Sequence, residues 1–152
     1  MMPTKHSSAL KISGLDAEKF LQGQLTCNIK TLTENKPQAC ALCSRKGRVI
    51  ASFNLIKDNN SFYMILSEPM IEIALEALSK YAKFSKTTLE KIDTDYPNEY
   101  LMLDINPENS GLFTPHKLNY HLIPGLIDFN KGCYTGQEII ARVHYLSKKD
   151  KG

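Results

Sequence analysis

The alternation of apolar and polar positions sets out the elements first. Residues 7–13, SSALKIS, mix Ala9, Leu10 and Ile12 with polar neighbours and predict a short strand running into Gly14. In LDAEKFLQGQL the spacing becomes helical: Ala17, Phe20, Leu21 and Leu25 fall on one stripe behind Asp16, a natural N-cap. Gly23 lies inside that helix at a cost of about 1 kcal/mol against Ala, which predicts a packing or turn reason for it. Residues 38–67 read as three antiparallel strands with tight turns at Lys46-Gly47 and Asp58-Asn59-Asn60.

A second helix follows in EPMIEIALEALSKYAKF, where Ile71, Leu75, Leu78 and Tyr81/Ala82 keep helical spacing and Pro69 suits the first turn. KTTLEKI and EYLMLDI predict two further strands. From residue 106 to 129 the pattern is irregular, with Pro115, Pro124 and Gly125, before apolar helical spacing returns at Ile139, Ile140, Val143 and Leu146. The fold expected is α+β: an antiparallel sheet with helices packed on one face, an irregular arm, and a C-terminal helix. The expected division is 1–105, 106–129 and 130–152.

Composition changes this picture little. The chain has 152 residues, 42% hydrophobic and 23% charged, which is ordinary for a globular domain. A net charge of +3, with basic residues scattered apart from the final KKDKG, gives no footprint for nucleic acid. No apolar run reaches the roughly 18–20 residues of a membrane span. MMPTKHSSALKISG has no apolar core of a secretory signal, and no transit peptide is seen. Cysteines at 27, 40, 43 and 133 are too sparse for a disulfide scaffold, so a reducing cytoplasm is expected.

The densest chemistry is NKGCYTGQEIIARVHYL, residues 130–146. Thr135 and Glu138 fit a capping box, and Glu138 and Arg142 fit an i,i+4 ion pair. Cys133 then stands just ahead of a helix N-terminus with Lys131 two residues away, where dipole and cation favour a thiolate; the alternative is a small core residue. Gly132 and Gly136 would let a ligand approach the backbone, and Tyr134 and Tyr145 would stack on a planar ligand or cover the sheet. Cys40 and Cys43 point to opposite faces of a strand, so they read as filler rather than metal ligands. His6, His116, His121 and His144 show no ligand spacing, and His116 and His121 read as solvated loop residues that could also line a cleft. Lys46-Gly47-Arg48 reads as a charged hairpin turn able to meet an anion.

KGCYTGQEIIAR resembles the signature of the YgfZ-type folate-binding proteins, relatives of the glycine-cleavage T-protein, an aminomethyltransferase. LDAEKFLQGQLTCNI, SRKGRVIASFNLI, LSKYAKFSKTTL and FTPHKLNYHLIPGLIDFN resemble further segments of that family in the same order. The resemblance implies an aminomethyltransferase-like N-terminal domain and tetrahydrofolate or a one-carbon derivative in a central cavity. It implies a functional Cys133, with Lys131, Gly132, Tyr134, Gly136, Gln137, Glu138 and Arg142 shaping the site. Iron–sulfur proteins or their assembly factors are the implied partners, with a link to tRNA modification, in cytoplasm or mitochondrial matrix.

Departures from the family pattern qualify this. Relatives usually insert an α/β segment after EYLMLDINPENSG and continue into a β-barrel after the signature. Asn28 stands where they usually carry Asp. The T-protein's acidic pair falls on Ala51 and Ser52, so aminomethyl transfer is disfavoured. Two readings follow: an iron–sulfur accessory factor acting through Cys133, or a non-catalytic docking module or homo-oligomer.

Overall fold

A computed structural model describes residues 7–151, with side chains from residue 8 to 148; His6 lies outside the described residues. The apolar alternation of Ser7–Ser13 makes β1, followed by α1 (Ala17–Gln24), β2 (Gln38–Cys43), β3 (Val49–Asp58), β4 (Ser61–Leu66), α2 (Glu68–Ala82), β5 (Thr88–Thr94) and α3 (Gln137–Lys151). The strands form one antiparallel sheet in the order β2-β3-β4-β1-β5. The two hairpin turns fall where expected, with Gly47 at φ 72 and Asn59 at φ 56, the positive values tight turns require.

Period-2 alternation gives the sheet two apolar faces. Leu10, Ile12, Met64 and Leu66 face the main core under α1 and α2, with Phe20, Leu21, Ile71, Ala74 and Leu78 packed against them. Ala9, Ile56 and Ile65 face the other way, toward Tyr96, Tyr100 and Leu101. That second cluster corrects the strand expected over EYLMLDI. Asn98–Tyr100 forms a single 3-10 turn, and the chain then crosses the sheet instead of extending its edge. Four of its apolar residues divide between the two clusters, Tyr100 and Leu101 in one, Met102 and Ile105 in the other, while Leu103 is exposed.

β4 pairs only with Asn54–Asp58 of β3, so the first half of β3 has backbone groups to spare on that side. The arm uses some of them. Gly111 N–H donates to the Val49 carbonyl at 2.7 Å, and Val49 N–H to the Phe113 carbonyl at 2.8 Å. The Ser110 hydroxyl adds a bond to the Ile50 carbonyl at 2.6 Å. No helix among the described residues is long and apolar enough to cross a membrane.

Candidate functional site

Two of the stretches that carry the family resemblance, QGQLTCN (22–28) and the arm end running into the signature, are hydrogen-bonded to each other. The Thr26 hydroxyl donates to the Leu126 carbonyl at 2.6 Å and accepts from Ala41 N–H at 3.1 Å. Asp128 N–H donates to the Thr26 carbonyl at 2.9 Å, and Thr135 N–H to the Gly23 carbonyl at 3.1 Å. Thr135 Oγ1 also reaches Gln24 Oε1 at 3.4 Å. A Cβ on Gly23 would meet nothing within 4 Å, so its place in α1 is not explained by crowding.

Lys131 closes this seam from within. Its ammonium is buried and donates to the Leu25 carbonyl at 2.6 Å, the Cys27 carbonyl at 2.7 Å and Gln22 Oε1 at 3.3 Å. It also sits 5.0 Å from the centre of the Tyr134 ring. Burial pushes the Lys131 pKa down, against the opposing pull of Cys27, Cys40 and Asp128. Gln22 holds both sides of the seam: its Oε1 also accepts from Ile29 N–H at 2.7 Å, and its Nε2 donates to Asn28 Oδ1 at 2.8 Å.

Between buried Lys131 and buried Tyr134, the backbone presents Gly132 and Cys133 to solvent. Cys133 is exposed, whereas Cys27, Cys40 and Cys43 are buried. Burial pushes the Cys43 thiol up, and the Cys27 thiol is raised by its bond to Cys40 and by burial. Gln137 Nε2 folds back onto the Lys131 and Gly132 carbonyls, both at 3.3 Å, and braces the Cys133 stretch.

Two local expectations are corrected. The capping box does not form: α3 starts at Gln137, with Gly136 at φ +85 accepting from Ile140 N–H at 3.1 Å. The cause is Thr135, whose amide and hydroxyl are committed to Gly23 and Gln24, while Glu138 pairs with Arg142 at 3.7 Å. Cys133 therefore lies four residues ahead of the helix, and the cation expected beside it points into the seam. The apolar stripe of α3 is likewise narrower than its spacing suggests. Ile140 is buried, Ile139 and Val143 are half-buried, and Leu146 is 49% exposed.

The other expected site residues are divided between structure and solvent. Tyr134 is core and burial pushes its hydroxyl pKa up, while Tyr145 is exposed. Gly136 packs against Ser44 and Gly47, and Gly132 has open space around it. Glu138 and Arg142 keep side chains 85% and 65% exposed, so their pair contributes about 0–0.5 kcal/mol. Cys40 and Cys43 sit in the core, and Arg48 turns to the Leu112 carbonyl at 3.3 Å. His116 and His121 are not solvated loop residues; with His144 they are half-buried and in ring contact with one another.

A cavity of about 240 Å³ opens beside the signature, lined by Asn28, Thr31, Gln38, Gly125, Ile127, Asp128, Phe129 and Asn130. None of the site residues expected from the resemblance lines it. Its amides and carboxylate are spread along the chain: Gln38 opens β2, Asp128 belongs to the irregular arm and Asn130 begins the signature stretch. Asn28, singled out only as a departure from the family pattern, is among them. A larger cavity of about 620 Å³ lies by Gly14, Lys57 and Asn59, at the far end of β3 from the Gly47 turn. No residue of the signature lines it, although its wall includes Glu18, one turn of α1 from the Gln22 that Lys131 bonds.

With this geometry, the comparisons with known proteins can be placed. No family model matches the chain. It is 29% identical to an uncharacterized protein of Haemophilus influenzae, over 90% of this chain and 65% of that one. It is 24% identical to the tRNA-modifying protein YgfZ of Colwellia psychrerythraea over 94% of this chain and 67% of that one. With the tRNA-modifying protein YgfZ of Escherichia coli the identity is 26%, over 88% and 64%. The resemblance read from the signature is thus borne out: the chain is a homologue of proteins named YgfZ, and it spans about two thirds of their length.

The fold is that of the glycine cleavage system aminomethyltransferase T of Bartonella henselae. The TM-score is 0.53 at 14% identity, over 57% of this chain and 24% of that one. The alignment with the Haemophilus protein runs over 183 positions, whereas 90% of 152 residues is about 137, so about 46 positions there face gaps here. The relative carries residues inside the aligned region that this chain lacks.

Proposed function

We propose that this chain is a folate-associated accessory factor for iron–sulfur protein assembly or repair, with an effect on tRNA modification, acting through Cys133. One observation carries the reading. The exposed cysteine stands on a stretch fixed on both sides, by Lys131 inside the seam and by Tyr134 in the core, with Gln137 bracing the backbone between them. A structural cysteine has no need of such a mount, whereas a reacting thiol gains from being held in place. A lone thiol does not hold a cluster, since clusters generally take four ligands, so the client protein supplies the rest.

The 240 Å³ cavity is where the chain's residues fit a folate head group. Its lining holds the Asn28, Gln38 and Asn130 side-chain amides and the Asp128 carboxylate, with Phe129 and Ile127 as apolar wall. Asn28 Oδ1, Gln38 Nε2 and Asp128 Oδ1 are bonded within the chain, which leaves Asn28 Nδ2, Gln38 Oε1, the Asn130 amide and Asp128 Oδ2 for a ligand. That set matches the mixed donor and acceptor edge of a pterin. The volume is below the roughly 300–1,000 Å³ of pockets that enclose a drug-sized ligand, so the remainder of a folate would lie outside. The bound folate would supply a one-carbon unit. Lys131, Gly132, Tyr134, Gly136 and Gln137 act on this site by setting the path of the signature, with Glu138 and Arg142 at its solvent side.

Aminomethyl transfer is not favoured, because Ala51 and Ser52 are buried on β3 with no carboxylate at either position. The docking-module reading draws on Leu103, Leu112 and Leu122, exposed by 69%, 58% and 69%, in a chain that lacks residues its relatives have. The test is rescue of an iron–sulfur enzyme's activity in a bacterium deleted for its own YgfZ protein. Rescue by the wild type and not by Cys133→Ala is expected. Equal rescue by both removes Cys133 from the function and favours docking, and rescue by neither contradicts the accessory-factor reading.

A further inference from the structure

Two histidines of the arm and one of α3 meet where the arm lies on the helix. His116 Nε2 and His144 Nδ1 are 2.9 Å apart, joining the arm to the helix. His116 stacks on His121 with ring centres 4.3 Å apart and planes at 17°, and His144 stacks on Phe129 at 3.8 Å and 17°. Nδ1 of His116 and Nδ1 of His121 are both buried and have no hydrogen-bond partner among the described residues.

The bond between the two rings fixes their protonation. One hydrogen lies between His116 Nε2 and His144 Nδ1. If His144 donated it, neutral His116 would carry its own hydrogen on Nδ1, a buried donor without an acceptor. His116 is therefore the donor, and its Nδ1 is a bare lone pair, the cheaper group to leave alone. Any proton added to the pair makes the packed arrangement less favourable. Placed on His116, it keeps the bond to His144 but turns Nδ1 into an orphan buried donor. Placed on His144 Nδ1, it sets donor against donor, or forces the His116 hydrogen onto the same orphan position.

We propose that this cluster is a proton-operated latch: neutral, it fastens the arm to α3 across the stretch that carries Cys133, and protonation releases it. Phe129 and His144 bracket Cys133 in the chain, so their stack closes a loop around it. The groups acting on the rings are the histidines themselves and Lys148 of α3, all of which oppose a proton. Asp128, next to Phe129, turns to the Asn130 amide at 2.8 Å and acts on Lys131 and Tyr134 instead.

Burial first, then His121 and His144, bring the His116 pKa down to about 4. Because the released form binds the proton more readily, the latch is fully stable above the ordinary histidine value of about 6.5. It weakens as pH falls from there toward about 4. The inference stands on the packing of arm and helix and does not depend on the folate reading.

Hydrogen exchange of arm and α3 peptides, corrected for intrinsic rate and compared at about pH 7.5 and about pH 5, tests it. Wild-type protection in both segments should fall about tenfold or more at the lower pH relative to β3 peptides. His116→Phe keeps a stacking ring without titrating, and His116→Gln keeps a donor for His144 Nδ1 without titrating. In either variant the change should shrink to about twofold or less, and one folded variant is sufficient. Equal wild-type protection at both pH values overturns the latch, as does an undiminished loss in the variants.

Discussion

Gly136 and Gly47 lie back to back. A Cβ on Gly136 would stand 3.2 Å from Gly47 Cα and 2.5 Å from the Ser44 carbonyl oxygen, and one on Gly47 would stand 2.9 Å from Ile139 Cβ. The hairpin turn between β2 and β3 is thereby seated on the first turn of α3. A glycine that looked reserved for a ligand serves contact between two pieces of the chain.

Gly136→Ala should therefore destabilise the fold by about 1–3 kcal/mol, from a positive φ and a blocked approach together. Gly132→Ala, with nothing within 4 Å of the added carbon, should stay within about 0.5 kcal/mol. Urea unfolding of the two variants side by side decides it; equal effects would mean Gly136 is not a packing contact.

The seam makes a second prediction. Lys131→Met keeps the apolar stem but leaves the Leu25 and Cys27 carbonyls without their buried donor. The loss should be about 2–4 kcal/mol, at about 1–3 kcal/mol for each orphaned group with partial relaxation. A midpoint unchanged in thermal melting would show that Lys131 is not the tie between the two stretches.

Thr26→Val removes a hydroxyl of nearly the same shape that donates to Leu126 and accepts from Ala41. A cost of about 1–3 kcal/mol is expected. Exchange at the Ala41 amide should rise in the same variant while β5 amides keep their protection. Uniform loosening of the whole sheet would contradict a role confined to the seam.

Cysteine labelling tests the mount of Cys133. Under native conditions a maleimide should modify one thiol, Cys133, with Cys27, Cys40 and Cys43 reacting only after unfolding. Mass spectrometry of the labelled peptides gives the answer directly, and native labelling of a buried thiol would contradict the packing described.

Much of the frame was legible in the chain because it rests on local periodicity: the helices at 17–24 and 68–82 and the two hairpin turns follow from spacing and turn residues. What was not legible depends on distant partners. EYLMLDI alternates like a strand, yet its residues serve two apolar clusters on opposite faces, which no local pattern reveals. Thr135 and Glu138 satisfy the rule for a capping box, but a hydrogen bond to Gly23, 112 positions away, takes the amide that would begin the helix. The His116, His121 and His144 spacing has no period because two of them lie on the irregular arm and the third on α3. A signal for Gln22 and Thr26 did exist, as polar residues set among apolar ones in LQGQLTC.

The most direct test of the central claim is calorimetric titration of tetrahydrofolate into this chain, with Asp128→Asn and Cys133→Ala beside the wild type. If the signature's cavity receives a folate head group, the wild type and Cys133→Ala bind one equivalent with similar affinity. Asp128→Asn should bind about tenfold more weakly, or about 1.4 kcal/mol. Absence of heat from all three folded proteins, or full affinity in Asp128→Asn, would contradict it.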